Sequence, residues 1–236
     1  TPEDWGYFAD GESPEILIGD MNKLRTLSQE PDKPYFMLGH SMGSYLLRRY
    51  LSVYGGGLSG AVIMGTGGNP DAVAKLGMAV CKAIAAFKGW KYRSPFMEKL
   101  FFSGDFQKFD MSGTHPENSW LTKDTEIVRF YYSEPRCTFK FTLKAYYDFL
   151  KTVYYVNRKE NVEKIPKDLP ILMVAGDCDP VGEFGKAVKR VYEMYKAAGI
   201  NDVTLKLYEN DRHEILNETD KERVFDDIFN WCESRQ

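Results

Sequence analysis

Only three histidines occur in the chain, and the first stands inside Gly39-His40-Ser41-Met42-Gly43, a G-x-S-x-G pentapeptide. The apolar run Pro34 to Leu38 precedes it and a helical pattern, Ser44 to Tyr54, follows. Strand, sharp turn and helix is the setting that thrusts such a serine out above a sheet as a nucleophile. The glycines fit that setting, because a Cβ at Gly39 or Gly43 is expected to collide with the neighbouring strand or helix. Ser41 is therefore the candidate nucleophile. The backbone amide of Met42, the next residue, is the candidate oxyanion donor.

A serine hydroxyl is a poor nucleophile unless a base takes its proton and a carboxylate holds that base. His40 sits in the turn itself and cannot swing back onto its neighbour's hydroxyl. His115 lies in the polar loop Met111 to Pro116 and reads as solvated. His213 is different: it follows the alternating run Val203 to Tyr208, which reads as a strand, and precedes a helix from about Lys221 to Ser234. It is the candidate base. For the acid, Ile171 to Ala175 is a continuous apolar run of the kind that fills a parallel strand buried on both faces. It empties into Gly176-Asp177-Cys178-Asp179-Pro180-Val181, where two carboxylates compete. Asp179 is preferred because Pro180 fixes the backbone just after it, while Asp177 is expected to cap the loop through its own backbone amides. Cys178 reads as a small packing residue.

The elements that must position these groups alternate. Ser13 and Pro14 open a helix that ends before Pro31, and Gly55-Gly56-Gly57 stops the helix after the serine. Leu58 to Thr66 is the next strand, and the sheet resumes only at Pro170. Strand, helix (about Phe184 to Ala198), strand and helix then close the chain. This alternation implies an α/β protein with a parallel sheet covered on both faces. Roughly Asn69 to Lys167 shows no strand-like spacing and breaks into helical patterns at about Asp71 to Phe87, Pro95 to Phe102, Lys123 to Tyr132 and Thr138 to Val156. That insertion is rich in aromatics, most of which must hold a small helical subdomain together. An apolar face turned toward the serine would suit an acyl chain better than a charged or sugar substrate.

With 236 residues, 43% of them hydrophobic, the chain can bury a full core. A formal charge of −3 offers no positive field to attract phosphates and argues against nucleic acid as a partner. Cys81, Cys137, Cys178 and Cys232 are too widely spaced for a C-x-x-C site, so a reduced, cytoplasmic setting is expected. No run reaches the ~18 apolar residues of a membrane span, and no metal or organic cofactor is implied. Asn217-Glu218-Thr219 matches a glycosylation acceptor, a pattern common by chance.

Three segments together resemble a known family: Gly39-His40-Ser41-Met42-Gly43-Ser44, Ala175-Gly176-Asp177-Cys178-Asp179-Pro180-Val181, and Arg212-His213-Glu214-Ile215-Leu216-Asn217-Glu218. They are similar to the lysophospholipase and monoacylglycerol-lipase-like branch of the α/β-hydrolase superfamily, also labelled serine aminopeptidase-like. Asp4 to Asp10 and Trp120 to Asp124 resemble that branch as well. The resemblance implies a Ser41, Asp179, His213 triad and an α/β-hydrolase core in two parts, residues 1–68 and 168–236. It implies a helical cap at 69–167, and cleavage of a carboxylic ester of monoacyl lipid type. A peptidase or amidase with the same triad is the alternative within enzymes, and a non-catalytic ligand-binding protein of this fold the alternative outside them. In that family several strands, and a loop carrying the second oxyanion amide, precede the serine. No such strands can be read before Pro34, so this chain resembles a fragment lacking its N-terminal strands. The apolar strand before Ser41 is then expected at an exposed sheet edge, and either a separate polypeptide supplies the missing strands or this piece alone is unstable, with at best a half-formed oxyanion hole.

Overall fold

The computed structural model describes residues 1–68 and 70–235. Four parallel strands, β1 (Phe36–His40), β2 (Gly60–Met64), β3 (Ile171–Gly176) and β4 (Val203–Tyr208), form one sheet in the order β1-β2-β3-β4. Around them lie α1 (Ser13–Ser28), α2 (Met42–Tyr54), α9 (Lys186–Ala197) and α10 (Glu222–Glu233). Between β2 and β3 come α3 (Asp71–Lys88), α4 (Pro95–Phe101), α5 (Thr125–Ser133), α6 (Pro135–Thr138), α7 (Leu143–Val156) and α8 (Lys159–Val162). The expected boundary at Asn69 lies outside the described residues.

Sheet burial follows the pleat. Ala61 and Ile63 of β2, with Ile171, Met173 and Ala175 of β3, pack against Leu47 and Leu51 of α2 and Val188 and Val191 of α9. The alternate residues Val62, Met64, Leu172 and Val174 face Val224 and Trp231 of α10. Successive side chains point to opposite faces, so a strand with helices on both sides must be apolar throughout. Each such side chain contributes roughly 1.5–3 kcal/mol by leaving water.

The strand before the serine runs two residues further than its apolar stretch suggests. Its register, Phe36 opposite Gly60 through His40 opposite Met64, carries Gly39 and His40 into the sheet and brings Ser41 to the strand's C-terminal end. The helix behind it starts correspondingly early, at Met42. Among the described residues β1 pairs only with β2, and Leu38 is 47% exposed.

The helical segment has its own apolar centre, made by Cys81 and Ala85 of α3, Met97 of α4, and Leu143, Tyr146 and Leu150 of α7. A second cluster, Tyr45 with Ala74, Val153 and Val156, fastens it to α2. The pattern from Thr138 to Val156 is not one helix. It divides after Thr138, because Thr142 caps α7 by accepting from the Ala145 amide at 3.2 Å and donates its own N–H and hydroxyl to the Gly6 carbonyl, each at 2.9 Å.

Candidate active site

Ser41 has φ 53° and ψ −123°, a backbone region that residues with a Cβ rarely enter and that costs of order 1–3 kcal/mol. Hydrogen bonds on both sides hold it there. Its N–H donates to Met64 O at 3.0 Å, and the Ser44 hydroxyl donates to its carbonyl at 2.6 Å. Gly39 is required by close approach, since a Cβ would lie 2.4 Å from the carbonyl oxygen of Gly43. The same expectation fails at Gly43. A Cβ there would meet nothing within 4 Å, because no element is packed over that side of the first turn of α2. Met42 is the first residue of α2, a position whose amide has no intrahelical acceptor, whereas the Ser44 amide donates to Ser41 O at 2.9 Å.

His213 and Asp179 come together on the loops that leave β4 and β3. His213 Nδ1 and Asp179 Oδ2 are 2.9 Å apart, with side-chain exposures of 2% and 0%. A carboxylate accepts, so Nδ1 carries the proton and Nε2 is left as the basic nitrogen. Nε2 is buried without a hydrogen-bond partner among the described residues. No hydrogen bond links it to the Ser41 hydroxyl, a contact that commonly tightens only around substrate.

Asp179 faces His213 as expected, but the loop cap expected of Asp177 is made by Asp179 as well. Asp177 Oδ1 reaches across to accept from the Asn210 amide at 2.7 Å, whereas Asp179 Oδ1 accepts from Val181, two residues on, at 2.8 Å. The Asx turn therefore belongs to Asp179, where Pro180 presets the φ that such a turn needs. Beyond it Glu183, Phe184 and Gly185 all have positive φ, and the Phe184 N–H donates to Asp179 O at 2.9 Å. This tight return fixes the acid from its backbone side as well.

His40 does contribute, though not as a base toward its neighbour. Its Nε2 lies 3.0 Å from the carbonyl of His213, and the two rings are 4.6 Å apart. Burial first, and then His213 beside it, push the His40 imidazole down to about 4. It is neutral at pH 7, and because its partner is a carbonyl, Nε2 is the donor. His115 is exposed in its loop, 3.4 Å from Glu117. Cys178 is half-buried, and burial raises its thiol above the ordinary range, which suits packing rather than nucleophilic use. Among the described residues no group of three or more His, Cys, Asp or Glu side chains could hold a metal ion.

The His213 loop is stitched to the inserted segment. The N–H groups of His213 and Glu214 donate to Trp120 O and Leu121 O at 3.3 and 2.7 Å. Fully buried Glu218 gathers the Thr122 hydroxyl and the Lys123 and Arg212 amides at 3.0, 2.9 and 2.7 Å. Lys123 Nζ is also 2.6 Å from buried Asp211. Sequence reasoning missed this junction, and with it the indole of Trp120, whose centroid lies 5.0 Å from that of His213. Its one signal was that Trp120 and Glu218 both fall in segments resembling the same family.

Comparison with known proteins places these observations among relatives. The family profile described as serine aminopeptidase, S33, matches residues 6–220. A monoacylglycerol lipase of Mycolicibacterium smegmatis is 26% identical over 211 residues, which are 88% of this chain and 65% of that protein. The chain thus spans just under two thirds of that relative's length. A solved highly thermostable carboxyl esterase from Bacillus coagulans, in complex with glycerol, aligns with a TM-score of 0.83 at 30% identity, over 94% of this chain and 72% of the esterase. A soluble variant of the monoglyceride lipase from Saccharomyces cerevisiae shares the fold, with a TM-score of 0.72 at 21% identity over 99% of this chain and 72% of that one.

Proposed function

The chain belongs to the serine aminopeptidase S33 family and has the α/β-hydrolase fold, and on that premise we propose that it cleaves carboxylic esters of monoacyl lipids. Ser41 Oγ attacks the carbonyl carbon while its proton passes to His213 Nε2, and Asp179 holds the imidazolium so formed. The Met42 amide donates to the developing oxyanion. The Nε2 proton then goes to the leaving alkoxide, which departs as the alcohol. Water, deprotonated by the same nitrogen, attacks the acyl-serine and releases the carboxylic acid.

One observation carries this reading. His213 and Asp179 form a buried pair at 2.9 Å whose outward nitrogen has no partner, a costly arrangement for a group with only a structural role. The lipid preference draws support from likeness to a monoacylglycerol lipase and a carboxyl esterase; the cavity beside Met42, which Asp148 and Thr152 line together with Phe8 and Phe149, holds only about 10 Å³, room for about one water. The same part of the proposal makes the helical segment a cap over the serine.

The test is direct. The chain should label with a fluorophosphonate and hydrolyse p-nitrophenyl esters, favouring longer acyl chains over acetate, and Ser41→Ala should abolish both activities. Turnover retained by Ser41→Ala would sink the mechanism. Faster cleavage of amino-acid p-nitroanilides than of any ester would move the substrate class to amides.

A further inference from the structure

His213 has only 2% of its side chain exposed. A base buried this deeply must become a cation with little help from water each time it accepts a proton, and an uncompensated buried charge is expensive. Asp179 supplies one compensation, at Nδ1. Two aromatic rings also lie against the imidazole. The Trp120 indole lies 5.0 Å away between centroids at an interplanar angle of 31°, and the His40 ring lies 4.6 Å away. A Cβ on Gly65, which has φ +59°, would come within 3.1 Å of His213 Cε1, so a larger residue there would be strained and would crowd the ring.

Trp120 comes from the inserted helical segment, not from the sheet that carries the other site residues. Only 9% exposed, it is held by Phe106 at 5.3 Å and Phe102 at 6.1 Å, and its carbonyl accepts the N–H of His213. An indole face within about 6 Å of a cation attracts it through the ring quadrupole, and more strongly where water is excluded; Trp120, tilted by 31° to the imidazole at 5.0 Å, lies within that reach.

We propose that Trp120 is a positioning residue for His213. Its indole face fixes the plane in which the imidazole meets Asp179 and stabilises the imidazolium. The basicity of the site is thereby set in part by the inserted segment. This rests on His213 being the base. A purely structural indole would fill the same volume whatever its electron density. A cation-binding indole must weaken as electrons are withdrawn from it, and that difference decides the question.

In the full chain, Trp120 is replaced site-specifically by 5-fluoro-, 5,7-difluoro- and 5,6,7-trifluorotryptophan, which are nearly isosteric, and separately by Phe and Leu. Two quantities are read: the protonation midpoint of His213 from its Cε1 carbon resonance, and the rate of fluorophosphonate labelling. The titratable groups facing His213 are Asp179 from the β3–α9 loop and His40 from β1, and both are unchanged throughout. The midpoint should fall stepwise with each fluorine, by up to about 1 pH unit in all. Labelling should slow in step, by about 5- to 30-fold across the series. A flat midpoint and a flat rate across the fluorinated set would overturn the role of Trp120 alone. A wild-type chain that does not label at all would overturn the triad reading and this inference with it. The Leu variant should be slower than the Phe variant, and equal rates would count against the ring.

Discussion

Replacing Asp179 by Asn should do more than delete a charge, because the structure dictates how the new side chain sits. Asp179 Oδ1 accepts from the Val181 amide at 2.8 Å while Oδ2 faces His213 Nδ1 at 2.9 Å. An asparagine has one acceptor and one donor end. The Val181 N–H can only be met by the acceptor, so the NH₂ group is turned toward His213. Nδ1 must then accept, the imidazole proton moves to Nε2, and the nitrogen facing Ser41 can no longer take a proton. This wrong-tautomer trap costs about 10⁴-fold in kcat in serine proteases, or about 5.4 kcal/mol at 1.36 kcal/mol per decade. Asp177→Asn should cost less than about tenfold, since an amide oxygen still accepts from Asn210. The assay is kcat on p-nitrophenyl acetate at pH 7–8 for both variants, with melting temperatures to show that both fold. A loss below about tenfold in Asp179→Asn, or a larger loss in Asp177→Asn, would refute the reasoning.

Three further outcomes follow from the same geometry. Ser41→Gly should abolish fluorophosphonate labelling yet leave the fold at least as stable in urea titration, because glycine relieves a strain of order 1–3 kcal/mol at φ 53°; clear destabilisation would mean the turn is unstrained. Gly39→Ala should fail to accumulate as folded protein, whereas Gly43→Ala should melt higher by the ~0.5–1 kcal/mol that alanine gains over glycine in a helix; the reverse ranking would contradict the packing around the turn. His40 is held down at about 4 by burial and by His213, below its ordinary value near 6.5, so the unfolded chain binds that proton first. Its contribution to stability is complete above about pH 6.5 and is lost as pH falls toward 4, by about 3 kcal/mol in all. His40→Gln should flatten that part of the wild-type urea profile between pH 7 and 4, and parallel profiles would place the titration elsewhere.

Much of this architecture is legible in the sequence because it is periodic or local. The apolar runs at Ile171 to Ala175 and Pro34 to Leu38 must be strands in a sheet covered on both faces, and Ser13-Pro14 and Gly55-Gly56-Gly57 punctuate helices. The register that carries His40 into β1 is set by pairing with β2, a partner twenty-four residues away, so the local pattern misplaces the strand by two residues. The break between α6 and α7 arises from Thr142 binding Gly6, again a distant partner. Composition cannot reveal which carboxylate forms the Asx turn, because Asp177 and Asp179 are chemically alike and only Asn210, from another loop, distinguishes them. Trp120 meets His213 ninety-three positions away. Nothing in the spacing of aromatics marks one as facing a histidine and its neighbours as facing one another.

The Glu218 carboxylate has a consequence for how the molecule opens. It takes hydrogen bonds from Thr122 and Lys123 on one side and from Arg212 on the other, with Leu121 and Glu214 joined backbone to backbone between them. Separating the two segments would strand a buried carboxylate, so residues 119–124 and 211–218 should open as one cooperative unit. In amide hydrogen exchange, Glu214 should therefore share the opening free energy of Lys123. Movement of the helical segment is then expected outside this seam, which keeps the loop beside His213 in place.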